Sequence, residues 1–281
     1  MIYLDNSATT RVLPEAADAA YAAMTEQFYN PASAYAPAVA AEKAVEAARA
    51  RLAAALGGTP DELIYTSGGT ESNNMAVFGS LKPLRGKRRI VTTLGEHPSI
   101  YEVFRSLEQA PDTEVVFVGL HPDGTANLDE LAAALTPDTA LVSLMHVSNE
   151  VGAVNDLSAA ASLIKQFAPN ALLHSDGVQA FCKLPFSRLP VDLYSVSAHK
   201  FHAPKGVGAL YVRSGVKFAG GQIGGGQERS LRSGTTNVPG ILGLDAALTS
   251  YRAHQAEWTD HIRACKLRLA KNLLTIPDVL V

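Results

Sequence analysis

Ser197-Ala198-His199-Lys200 closes the apolar run Val191-Asp192-Leu193-Tyr194-Ser195-Val196 and opens onto Phe201-His202-Ala203-Pro204-Lys205-Gly206-Val207-Gly208. A lysine at the end of a buried strand, beside histidine and serine and ahead of a Gly/Pro-rich turn, suits an amine held ready to condense with an aldehyde. Burial and nearby cationic groups favour its neutral, nucleophilic form. The same plan of apolar strand, then turn, recurs along the chain. Strand runs fall near 63–66, 89–93, 114–118, 140–145, 172–175, 193–196 and 209–212, and helical patterns near 70–79, 99–109, 129–135 and 158–167 fill the gaps. Alanine-rich 38–56 carries charges at helical spacing and stops at Gly57-Gly58, which marks a further helix. Such alternation predicts an α/β fold, a mainly parallel sheet with helices on both faces.

Pyridoxal 5′-phosphate is the cofactor that asks for such a lysine, and three other segments supply parts of its pocket. Leu172-Leu173-His174-Ser175-Asp176 ends a strand in a carboxylate. Ligands of parallel sheets sit at the carboxyl ends of strands, so Asp176 can face a pyridine nitrogen and keep it protonated. Gln179 lies three residues on, within reach of a ring hydroxyl; read by itself, Asp176 is equally a helix N-cap. Leu63-Ile64-Tyr65-Thr66-Ser67-Gly68-Gly69-Thr70-Glu71-Ser72-Asn73 runs a strand through two glycines into a helix, a place for a phosphate. Without the lysine it reads as a plain turn capped by Thr70. It matches neither a dinucleotide nor a nucleoside-triphosphate fingerprint. Gly95-Glu96-His97-Pro98-Ser99 puts a histidine after another strand, able to stack on a flat ring and move protons. Alone, His97 is an ordinary loop residue.

With Asn149 in His146-Val147-Ser148-Asn149-Glu150-Val151-Gly152, these segments resemble the class V aminotransferases, most closely the cysteine desulfurases of the iron–sulfur assembly and nitrogen-fixation type. The resemblance starts at Tyr3-Leu4-Asp5-Asn6-Ser7-Ala8-Thr9-Thr10 and passes through Asn30-Pro31-Ala32-Ser33. It ends at Gly224-Gly225-Gly226-Gln227-Glu228-Arg229-Ser230-Leu231-Arg232-Ser233-Gly234-Thr235. It implies the large domain of the fold type I pyridoxal-phosphate transferases, a seven-stranded sheet with the strand at 209–212 antiparallel. By resemblance Lys200 matches the lysine that holds the cofactor covalently, and His97 the histidine stacked on its ring. Gly69 and Thr70 match the phosphate cup, with Ser197, Ala198 and His199 in the adjoining turn. Asn149 and Gln179 match contacts to the ring hydroxyl region, and Asp176 the partner of the ring nitrogen. Thr235 matches a residue that reaches the neighbouring subunit's cofactor, which implies a homodimer with shared active sites.

The same resemblance expects about a hundred further residues, a smaller domain with a sulfur-accepting cysteine and a substrate-gripping arginine. This chain stops at Ile276-Pro277-Asp278-Val279-Leu280-Val281. The expected organisation is an N-terminal segment at 1–15, a cofactor-binding large domain at 16–250, and a long helix at 251–281 leading to an absent domain. The two cysteines, Cys182 and Cys265, match no sulfur acceptor and read as packing residues, though Lys183 would lower the Cys182 pKa if that thiol were exposed. Their spacing gives no metal site.

Cysteine desulfuration, with L-cysteine or a related amino acid as substrate and a sulfur-acceptor or scaffold protein as partner, is the expected function, impaired in a truncated chain. The alternatives are a selenocysteine lyase, a kynureninase-like hydrolase, an aminotransferase, a non-catalytic dimerising scaffold, or one half of a split enzyme. A net charge of −3 gives no electrostatic reason for nucleic acid, and Lys82-Pro83-Leu84-Arg85-Gly86-Lys87-Arg88-Arg89 reads as a solvated loop. No apolar stretch reaches membrane-spanning length. Met1 leads into Ile2-Tyr3-Leu4 without a secretory leader, which points to the cytoplasm.

Overall fold

Seven apolar runs pair into one sheet: β1 (Leu63–Thr66), β2 (Arg88–Thr93), β3 (Thr113–Val118), β4 (Thr139–Ser143), β5 (Leu172–Asp176), β6 (Leu193–Ser197) and β7 (Gly208–Val212). The structure is a computed structural model that describes residues 2–185 and 188–279; Met1 and the terminal Leu280-Val281 lie outside them. The strand order is β1-β7-β6-β5-β4-β2-β3. β7 runs antiparallel to both neighbours and the other pairings are parallel, as the resemblance implied. One boundary moves. The fourth strand stops at Ser143 rather than 145, although Leu144 and His146 still donate backbone bonds to His174 and Asp176 (3.0 Å each).

Every residue of β6 is buried, which a strand needs cover on both faces to achieve. That cover comes from α1 (Pro14–Thr25), α2 (Ala36–Ala55), α3 (Gly69–Leu81), α4 (Pro98–Leu107), α5 (Leu128–Ala134), α6 (Leu157–Phe167) and α7 (Val238–Leu273). One core joins Leu52 of α2, Ile164 of α6 and Leu244 of α7 to Leu63 and Leu173 of the sheet. The other joins Met75 of α3 and Phe104 of α4 to Ile64 and Leu193. Leu63 and Ile64 are adjacent and face opposite cores, as strand alternation requires. Complete burial of such a side chain is worth about 1.5–3 kcal/mol.

Helix α1 was not among the expected helices, and the expected 15/16 boundary falls inside it. It packs along α7, where Gly243 permits close approach: a Cβ there would lie 2.7 Å from Pro204 Cγ and 3.0 Å from the Ala16 carbonyl. The first and last parts of the chain thus meet. Helix α7 runs 36 residues without a break across 250/251. Its buried residues end at Tyr251.

β1 is an edge strand, and residues 228–230 cover its free side. Glu228 Oε2 accepts from the Tyr65 amide (2.8 Å), and Arg229 Nη2 donates to the Leu63 carbonyl (2.7 Å). Arg49 clamps Glu228 through two bonds of 2.7 and 2.8 Å, and its guanidinium lies 4.6 Å from the centroid of the Tyr65 ring.

Candidate active site

The carboxyl ends of β1, β2, β4, β5 and β6 surround one cleft of about 230 Å³, the place where ligands collect on parallel sheets. Gly69, Thr70, His97, Asn149, Asp176, Gln179, Ser197, His199 and Lys200 all line it. Ala198 does not: it is fully buried behind the turn, where its amide donates to the Val207 carbonyl (3.1 Å). Thr235 lies outside the cleft on an exposed loop.

Asp176 is 4% exposed at the end of β5. Its Oδ1 accepts from the Val178 amide (2.9 Å) and its Oδ2 from Asn73 Nδ2 (2.7 Å). The first bond is the cap-like contact of the plainer reading, but no helix follows; the carboxylate turns a tight corner and faces the cleft as well. Burial raises its pKa, against the pull of those two donors and of the His97 and Lys200 charges. Among the described residues no cation pairs with it directly.

The sequence pattern assigns Asn73 no role. It sits on α3, 1% exposed, and gives its second amide hydrogen to Ser99 Oγ (2.8 Å). Ser99 in turn sets His97: the Ser99 amide donates to His97 Nδ1 (3.1 Å), which makes His97 the N-cap of α4 and leaves Nε2 to carry the proton of the neutral ring. A chain of polar contacts therefore links Asp176 to His97. The phosphate-type turn behaves as glycine chemistry predicts. Gly68, with φ +152°, caps α3, where the plainer reading of the turn puts Thr70, and a Cβ on Gly69 would lie 2.7 Å from Val178 Cγ2.

Lys200 follows β6 in a short helical turn. Its Nζ donates to the carbonyls of Ser7 (2.5 Å) and Ala8 (2.9 Å), so the N-terminal segment closes one side of the site. Burial lowers the Lys200 pKa, with Asp176 and Asp5 resisting. Gln179 has spent its amide locally, donating to the Ser7 carbonyl (2.8 Å) and accepting from Lys183 Nζ (2.5 Å). Asn149 Nδ2 donates to Glu150 Oε1 (2.6 Å). Behind the cleft, Glu96 is 7% exposed; its Oε1 accepts from the Met145 amide (2.6 Å) and burial lifts its pKa to about 8. Cys182 is 1% exposed, and burial raises its pKa against the weaker pull of Lys183. Cys265 is exposed on α7, and neither thiol lines the cleft.

Residues 2–281 match the family model described as aminotransferase class-V. The chain belongs to the class-V aminotransferase family. A cysteine desulfurase of Gluconacetobacter diazotrophicus is 42% identical over 276 residues, 97% of this chain and 68% of that protein. A solved NifS-like protein superposes with a TM-score of 0.94 at 38% identity, covering 98% of this chain and 76% of the other. A structure titled SspA in complex with cysteine gives a TM-score of 0.84 at 31% identity, covering 94% and 78%.

Class-V aminotransferases of this group use pyridoxal 5′-phosphate, and the residues present fit it. A buried carboxylate with two neutral donors and no direct cation is completed by a protonated ring nitrogen. Asn73 Oδ1, buried and without a partner, borders the same space. The free amides at the start of α3 suit a phosphate. Among the described residues no group of His, Cys, Asp and Glu is placed to hold a metal ion, and no helix is long and apolar enough to cross a membrane.

Proposed function

We propose that this chain binds pyridoxal 5′-phosphate on Lys200 and acts on L-cysteine, or a closely related amino acid, to mobilise sulfur for iron–sulfur or other sulfur-containing cofactors. The observation that carries the proposal is the meeting of Lys200, Asp176 and the α3 N-terminus in one cleft. The cysteine desulfurase relatives and the cysteine-bound neighbour support the choice of substrate.

Bound pyridoxal phosphate supplies an aldehyde for the amino group of the substrate and a ring that draws electrons from its α-carbon. Asp176 keeps the proton on the ring nitrogen, with its own oxygens already oriented by Val178 and Asn73. Gly69, Thr70, Ser197 and His199 receive the phosphate, and His97 and Asn149 border the ring. Lys200, as the free amine, takes and returns the proton at the α-carbon of the substrate, and His97 Nε2 assists. In the sulfur step an S–S bond forms to an attacking thiolate while the C–S bond of cysteine breaks. The carbon then takes a proton, so cysteine and one thiol become alanine and one persulfide.

Cys182 is buried and Cys265 lies away from the cleft. We therefore assign the accepting thiol to a group outside these residues, and the chain alone transfers sulfur poorly. The exposed Ile262, Leu267 and Leu269 on α7 support packing of a smaller domain beyond Tyr251. The exposure of Thr235 outside the cleft supports a role toward a second copy's cofactor in a homodimer. Unbridged thiols fit the reducing cytoplasm.

Borohydride reduction of the pyridoxal-phosphate-loaded chain followed by peptide mapping tests the assignment. The label is expected on Lys200, with alanine and sulfide formed from cysteine only when an external thiol is added. Label on another residue, or no visible absorbance on loading, sinks the reading.

A further inference from the structure

Gln179 is where a second lysine enters the site. Lys183 Nζ donates to Gln179 Oε1 (2.5 Å), and Gln179 Nε2 donates to the Ser7 carbonyl (2.8 Å). That carbonyl also accepts from Lys200 Nζ (2.5 Å). The two amines are joined through one amide and one carbonyl, and neither of those groups cancels a positive charge. Among the described residues neither lysine has an ion pair with a carboxylate.

Carboxylates act on only one of the two amines. Asp5 of the N-terminal segment and Asp176 of β5 favour charge on Lys200. Burial and the Lys200 charge bring Lys183 down to about 8, opposed only by the neighbouring Cys182. His199, facing the same space, is held near 4, first by burial and then by Lys200, Lys205 and Lys183. Repulsion between two amines is mutual, so a proton on one disfavours a proton on the other.

We propose that Lys183 is a positioning residue of this site: it holds Gln179 against the N-terminal segment, and its charge raises the fraction of Lys200 present as free amine. The inference rests on the reading of Lys200 as the nucleophile, because only the free amine condenses with an aldehyde. Lys183 acts through Gln179 and through space, without itself touching the reacting atoms.

Competitive labelling of the full chain, freed of cofactor, with acetic anhydride reports the free-amine fraction of each lysine after peptide mapping. Exposed Lys165 serves as the internal standard, and circular dichroism checks that each variant folds. Lys183→Gln keeps a polar side chain without the charge and should slow Lys200 labelling at neutral pH severalfold. Lys183→Arg keeps the charge and should restore it. Equal Lys200 profiles in wild type and Lys183→Gln overturn the proposal, as does failure of Lys183→Arg to restore the rate. Borohydride mapping of the loaded chain is independent of this. Capture away from Lys200 sinks the reading of the site, whereas capture at Lys200 with an unmoved labelling profile sinks only the role of Lys183.

Discussion

Asn73 turns two separate catalytic candidates into one arrangement. Its Nδ2 donates to Asp176 Oδ2 (2.7 Å) and to Ser99 Oγ (2.8 Å), and Ser99 holds His97. Reversing the amide would set Oδ1 against the carboxylate, so the contacts themselves fix its orientation. Asn73→Leu removes one of the two donors of Asp176 and pushes an already raised carboxyl pKa further up. A hydrogen bond to a charged group is worth about 1.5–3 kcal/mol, so pyridoxal phosphate binding should weaken by roughly tenfold or more. Asn73→Asp should be worse, since it puts a second acid beside the first. Absorbance titration of the variants measures this directly, and an unchanged dissociation constant for Asn73→Leu would remove Asn73 from the site.

Among the elements, the β1 edge has the most to lose. Glu228, Arg229 and Ser230 carry φ of 47°, 56° and 63°, a left-handed turn built without glycine. Left-handed backbone costs roughly 1–2 kcal/mol per residue, and the buried Arg49–Glu228 pair, 5% and 7% exposed, holds it in place. The turn leads into the loop that carries Thr235, so the edge cover also presents the residue proposed to face a second copy. Arg49→Met leaves a buried carboxylate without its cation and should cost about 3–5 kcal/mol. Replacing both partners, Arg49→Met with Glu228→Gln, should recover much of that loss. Urea unfolding gives the stabilities, and limited proteolysis should find residues 228–235 opened in the single variant. Equal stability of the single and double variants would mean that the ion pair does not hold the turn.

For the molecule as a whole, the sheet was legible because each strand is an apolar run cut off by a turn, and the cleft because its residues stand at the ends of those runs. Helix α1 escaped although Pro14-Glu15-Ala16-Ala17-Asp18-Ala19-Ala20 is alanine-rich and favours a helix, because its buried face is only Ala16, Ala20 and Ala23 and its packing against α7 is a long-range fact. Asn73, Glu96 and Lys183 escaped for a related reason: each gains its role from neighbours distant in sequence or across a turn. Glu96 makes this measurable. Its pKa is about 8 in the folded chain, against 4.5 for the free side chain. The unfolded chain therefore loses this proton first as pH rises, so stability supplied by the protonated acid is complete below 4.5 and drains away up to about 8. The buried His174 and His146, lowered to about 3 and about 4, work the other way: their contribution is whole above 6.5 and falls as pH drops below it. Stability should therefore peak near 6.5. Between about pH 6.5 and 8, Glu96 alone of these three groups titrates, at about 1.4 kcal/mol per unit, so the melting temperature should fall by roughly 4 °C. Glu96→Gln keeps an acceptor for the Met145 amide but has no proton to lose, and its melting temperature should fall less than that of the wild type across that interval. Scanning calorimetry of both proteins at several pH values decides it: parallel slopes for wild type and Glu96→Gln would show that this acid is already ionised inside the fold.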